Sequence, residues 1–206
     1  NVPRIAFINK MDRTGADFFK ATDTIRARLG AIPVPLQIPI GSADMFNGLI
    51  DLILMKAIIY NESSLGALFE EMDIPDDMMD QALQNRQNML EALSEYDDTL
   101  MEQFLDGKEI GADLIRKVVR KATINSEIIP VFCGSAFKNK GVQRLLDGII
   151  AFLPSPVDKT ELIGQHPKND EQIIRTMSPD GDFTALAFKI TTDPYIGRLT
   201  YFRVYS

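Results

Sequence analysis

Two short apolar runs, each ending in a turn of small and polar residues, set the main constraint on how this chain can fold. Ile5-Ala6-Phe7-Ile8 leads into Asn9-Lys10-Met11-Asp12, and Glu127-Ile128-Ile129-Pro130-Val131-Phe132-Cys133 leads into Gly134-Ser135-Ala136-Phe137-Lys138. Runs of this length and composition are of the kind buried on both faces of a parallel sheet. After the second turn, Val142, Leu145, Leu146, Ile149, Ile150 and Leu153 recur at helical spacing. A strand, a small-residue turn and a helix in that order present free backbone N–H groups at the sheet's carboxyl edge. A minimal strand–helix–strand step needs only ~30 residues, yet Asp12 and Ser135 lie more than a hundred positions apart. A whole subdomain is therefore expected between two steps of one sheet.

The intervening sequence supports that expectation. Asp17 to Leu29 predicts an amphipathic helix with Phe18, Ile25 and Leu29 on one face and Gly30 as its stop. Val34 to Ile40 reads as one extended run whose prolines suit a strand edge. Residues 48–53 and 57–60 read as a hairpin-like pair of strands. Three helices follow, at about 76–95, 98–106 and 112–124, the first opening after Pro75 with Asp76 and Asp77 in its first turn. The acidic cluster Glu70, Glu71, Asp73, Asp76, Asp77 and Asp80 reads as a solvated helix start, with a docking face as the sharper alternative.

The two turns carry recognisable chemistry. Asn9-Lys10-Met11-Asp12 fits N-K-x-D, the arrangement with which guanine-nucleotide proteins grip the base. Guanine presents N1–H and N2–H₂ as adjacent donors, and an ionised Asp12 can accept both. Asn9 can donate to N7, and the Lys10 stem can lie along the base plane. Adenine lacks that donor pair and would leave the carboxylate unpaired. In Gly134-Ser135-Ala136, a main-chain N–H of the Ser-Ala turn is placed to meet the base O6. The plain competing explanation is two polar turns, with Asp12 capping the next element.

Longer segments carry a resemblance. Asn9 to Phe18, Pro33 to Gln37, Cys133 to Gln143, Leu153 to Val157 and Thr192 to Ser206 resemble bacterial elongation factor G, the ribosomal translocase GTPase, over nearly the whole chain. The resemblance implies an α/β fold: part of a P-loop-GTPase-type parallel sheet, an inserted α+β subdomain, then the first strands of a β-barrel domain. Residues 1–43 and 121–157 would be two segments of the GTPase domain, 44–120 the insert, and 158–206 a linker and partial barrel. Elongation factor G is known for such an insert, which elongation factor Tu lacks. Asn9, Lys10 and Asp12 resemble the family's base-specificity motif, and Ser135 and Ala136 its last guanine-contact loop. The implied ligand is GTP or GDP, with Mg²⁺ in the full-length protein. The implied partner is the ribosome, its RNA and its proteins including the stalk. A ribosomal protection protein or release factor 3 are the nearest alternatives, and a protein-interaction module that never held nucleotide is the more distant one.

Other features bound the reading. No G-x-x-x-x-G-K-[ST] phosphate loop occurs, and the only Lys followed by Ser or Thr is Lys159-Thr160. Asp12-Arg13-Thr14-Gly15 fits the D-x-x-G pattern, but Asp12 is already taken by N-K-x-D. No residue is a credible catalyst or metal ligand, and the lone His166 reads as a surface residue. The chain begins without Met and ends just after a strand-like run, and so reads as an inactive fragment of a longer cytoplasmic enzyme. Net charge is −7, which argues against a broad nucleic-acid surface. Cys133 is the only cysteine and reads as a buried, inert thiol. No apolar run approaches the ~18 residues of a membrane span. Pro154-Ser155-Pro156 reads as a boundary. Residues 158–182 read as a loose linker with a short strand at Gln172–Arg175, and 185–190 and 199–205 as the barrel's opening strands.

Overall fold

The computed structural model describes every residue except 1, 62, 63, 65, 156, 157, 159 and 160. The Lys159-Thr160 pair, and the Pro156 and Val157 part of the expected boundary, lie outside the described residues. The chain divides into two compact units, residues 1–153 and 154–206.

The first unit holds a three-stranded parallel sheet in the order β1 (Ala6–Ile8), β7 (Ile129–Cys133), β2 (Pro33–Pro35). β7 is central and all five of its residues are buried. Ala6, Phe7 and Ile8 pair in register with Val131, Phe132 and Cys133. The two apolar runs are thus neighbours, although their turns are far apart in sequence. β2 occupies the edge, where prolines cost the fewest ladder bonds. Burial raises the Cys133 thiol far above its ordinary pKa, so no reactive thiolate forms there.

Helix α1 (Phe18–Leu29) begins at Asp17, whose carboxylate accepts from Lys20 N at 2.9 Å. It ends at Gly30, with φ 58° and its N–H on Arg26 O. Both ends agree with the chemistry of the sequence.

The expected single run over Val34–Ile40 is instead two strands in different sheets. Leu36 is the hinge: its N–H donates to Val131 O, and its carbonyl accepts from Leu52 N, each at 3.0 Å. Before Leu36 the backbone serves the parallel sheet, and after it a four-stranded antiparallel sheet. That second sheet runs β3 (Gln37–Ile40), β4 (Gly48–Asp51), β5 (Lys56–Tyr60), β6 (Phe69–Met72), with a 3-10 turn at Ala43–Met45.

β6 corrects the reading of the acidic cluster as a helix start. Glu70 and Glu71 sit in that strand, paired with Ile59 and Ile58. Phe69 packs against Tyr60 at 5.7 Å between ring centres, and Arg144 forms an ion pair with Glu71. Pairing with β5 overrides a composition that by itself favours a solvated helix. Asp76, Asp77 and Asp80 do lie in α2 (Asp76–Ser94), which is followed by α3 (Asp98–Leu105) and α4 (Ala112–Ile124). These three match the predicted helices within a residue.

Helix α5 (Val142–Phe152) follows the second turn. Arg120 of α4 donates to the carbonyls of Ala151 and Leu153 at its carboxyl end, the favoured place for a cation. Its apolar pattern is only partly buried: Gly148 and Phe152 face the core, whereas Leu146 and Ile150 are exposed.

In the second unit, β8 (Glu161–Gln165) and β9 (Gln172–Thr176) form an antiparallel hairpin where a loose linker is expected, with His166 in its turn. β10 (Ala185–Asp193) and β11 (Gly197–Val204) form a second hairpin, with a register shift between Ala187 and Lys189. Phe188, Tyr201 and Phe202 are exposed on it.

Candidate nucleotide-base site

The turns after β1 and β7 run side by side at the carboxyl edge of the parallel sheet. Gly134 N donates to Ile8 O, and Met11 N to Gly134 O, each at 3.1 Å. These bonds continue the strand pairing past the strand ends and lock the turns together. Met11, the unspecified position of the motif, is 1% exposed and anchors the first turn in the core. Its neighbours are therefore turned outward: Asn9 and Lys10 are exposed and Asp12 is half-buried.

Asn9 bridges the turns. Its Oδ1 accepts from Lys10 N at 2.8 Å and from Ala136 N at 2.9 Å, across 127 positions of sequence. Lys10 has φ 66°, a left-handed conformation that costs a residue bearing a Cβ roughly 1–2 kcal/mol. The bond from its own N–H to Asn9 helps hold that geometry. With Oδ1 occupied twice, Nδ2 remains the end of the amide that can meet an acceptor such as N7. The Ala136 N–H is spent on Asn9, so a base oxygen at O6 would share that donor or displace Asn9 from it.

Ser135 faces Asp12. A hydrogen bond from the Ser135 side chain is the main influence holding the Asp12 carboxyl below the usual carboxylate range. Burial opposes it, while Asp12's own N–H and the charges of Lys138 and Arg13 add to it. Because the shift is downward, the ion's favourable contribution to the fold is complete at neutral pH. It fades only as pH falls through the acid range. Asp12 is thus an ionised acceptor at pH 7. Ser135→Ala is expected to raise the Asp12 titration midpoint toward the ordinary value, read by carboxyl NMR. An unmoved midpoint would remove the hydroxyl from this role.

The second turn is shaped by its own backbone. Ser135 N donates to Lys140 O at 2.9 Å, Lys140 N to Ser135 O at 3.0 Å, and Asn139 N to Ala136 O at 3.2 Å. Phe137 is 94% exposed beside Ala136, and Lys138 N donates to Ser135 Oγ at 3.2 Å. All five predicted residues, Asn9, Lys10, Asp12, Ser135 and Ala136, thus lie on two adjoining turns. The sequence did not single out Lys140 or Met11 as supports of those turns. Their roles depend on contacts that no local pattern marks. Among the described residues no cluster of three or more His, Cys, Asp or Glu could hold a metal, and no helix is long and apolar enough to cross a membrane.

Residues 1–155 match the family model described as the elongation factor Tu GTP-binding domain. The crystal structure of a protein from Thermus thermophilus superposes with a TM-score of 0.75 at 28% sequence identity. The match covers 98% of this chain and 27% of that one, so the chain spans about a quarter of the length of the protein it resembles. The chain belongs to the elongation factor Tu GTP-binding domain family, the translational GTPases.

Proposed function

We propose that this chain is the base-recognising part of an elongation-factor-G-type translocase, a GTPase acting on the ribosome in the cytoplasm. The observation that carries the reading is the bond from Ala136 N to Asn9 Oδ1, which joins the two turns that the base would touch. In this reading Asp12 accepts N1–H and N2–H₂ of guanine, Asn9 Nδ2 donates to N7, and the Lys10 stem covers one face of the ring. Ser135 holds the Asp12 carboxylate ionised and aimed. O6 meets the Ala136 end of the second turn.

The residues present fit a purine carrying a donor pair. Two main-chain-locked turns offer one anionic acceptor and one amide donor, with little freedom to accept an adenine instead. A bound Mg²⁺ would supply charge stabilisation at the phosphates. No residue of this chain is assigned to it or to catalysis, so the isolated chain is expected to hydrolyse no GTP. Residues 1–43 and 121–157 serve the nucleotide domain, 44–120 form the insert, and 158–206 begin the next domain. The long matches at Cys133–Gln143 and Thr192–Ser206 favour the translocase over a ribosomal protection protein or release factor 3.

Competition against a fluorescent GDP in the full-length protein tests the base reading. ITP, which lacks only the 2-amino group, should bind roughly tenfold to a hundredfold more weakly than GTP, the effect of one charge-assisted bond. ATP should be weaker by about 10³-fold or more. Equal competition by ATP and GTP would refute the assignment of Asp12.

A further inference from the structure

Loop 134–141 ends on a charge with almost no access to water. Lys140 is 2% exposed, although stripping an ammonium of water is costly. Its Nζ donates to the Phe46 carbonyl oxygen at 3.0 Å and stands 6.0 Å from the centre of the Phe46 ring. Phe46 is itself buried, between the 3-10 turn and β4 of the antiparallel sheet. Lys140 is also the residue whose backbone exchanges two hydrogen bonds with Ser135. The 3-10 turn between β3 and β4 reaches the first turn as well, where Ala43 N donates to Met11 O at 2.9 Å. One small antiparallel body thus holds both turns from behind. Base chemistry by itself calls for no lysine at that place.

We propose that Lys140 is a positioning residue for the base pocket: its buried ammonium ties loop 134–141 to the Phe46 carbonyl and so keeps Ser135 aimed at Asp12. This rests on the base-site reading above and adds the contact, outside the pocket, that sets its geometry. A bond from an ammonium is stronger and better defined than a neutral one, so the loop end has a fixed point. Methionine at 140 would keep the packing of the stem and remove both charge and bond. Loss of the ammonium's desolvation penalty offsets part of the lost bonding. The aim of Ser135, and through it of Asp12, loosens.

The test compares Lys140→Met, Lys140→Arg and Asp12→Asn in the full-length protein by the ratio of GDP to IDP affinity. IDP lacks only the 2-amino group, so this ratio reports the aim of Asp12. Lys140→Met is expected to lower the ratio by roughly tenfold, while Lys140→Arg keeps most of it. In the 206-residue chain, Lys140→Met should also raise the Asp12 titration midpoint. A wild-type ratio and midpoint in Lys140→Met overturn the inference, and so does a lowered melting temperature with a wild-type ratio. If Lys140→Met does not fold, Lys140→Gln is judged by the same two readouts. Asp12→Asn separates the two claims. If it leaves the ratio unchanged, the base-site reading fails and the Lys140 inference falls with it. If it changes the ratio while the Lys140 variants do not, only the Lys140 inference is lost.

Discussion

Replacing Asp12 with asparagine in the full-length protein is expected to cut GTP affinity by roughly 10²–10⁴-fold and to make XTP the better ligand. In the proposed pose the carboxylate offers two acceptor oxygens to two guanine donors, each bond to a charged group being worth about 1.5–3 kcal/mol. Asparagine keeps one acceptor and turns the other position into a donor, which then faces a guanine N–H. Xanthine carries an oxygen at C2 in place of the amino group, so the same amide donor finds an acceptor there. Ser135 helps to set which way the amide lies, because its hydroxyl already hydrogen-bonds at this position. Competition binding of GTP and XTP against a fluorescent GDP measures the exchange of preference. A folded variant that still prefers GTP by the wild-type margin would show that Asp12 does not read the base.

What the chain's own pattern reveals about this site depends on the range of the contacts involved. Asn9 and Asp12 are legible because the motif is local: three positions on one turn, after one apolar strand. Helices α1 and α2 are legible for a similar reason, since Asp17, Gly30 and Pro75 act on their immediate neighbours. Leu36 is not, because its switch between sheets is made by Val131 on one side and Leu52 on the other. Nor is β6, where Glu70 and Glu71 look like the start of a solvated helix until β5 is alongside. The α5 pattern shows a further limit. Periodicity names Ile150 as apolar, but cannot say whether anything in these residues covers it. Lys140 is the extreme case, for one of its bonds is to a main-chain oxygen 94 positions away. A lysine between Asn139 and Gly141 looks solvated in one dimension.

Gly134→Ala is expected to damage folding and nucleotide binding together, through a contact that has nothing to do with backbone freedom. A Cβ at Gly134 would lie 2.2 Å from the Lys140 carbonyl oxygen and 2.8 Å from Cζ of Phe7. Neither neighbour is a flexible chain end. One is the backbone that closes the loop onto Ser135, and the other is a ring on β1. Relief requires opening the Ser135–Lys140 pair or driving β1 from β7, where Gly134 also holds Ile8 O and Met11 N. Crowding of this kind costs about 1–3 kcal/mol, which for a chain of this size lowers the melting temperature by roughly 2–10 °C. Gly111→Ala is the control: its φ is −70° and nothing lies within 4 Å of the added carbon. Because Gly111 is also the N-cap of α4, where alanine is the poorer residue, that change should cost up to about 1 kcal/mol and leave GDP dissociation unchanged. Because the crowded oxygen belongs to Lys140, GDP dissociation from the full-length Gly134→Ala protein should also accelerate. Lowered melting with unchanged GDP dissociation would mean that the loop can open behind Ser135 without disturbing the base. The close approach would then matter to the sheet alone.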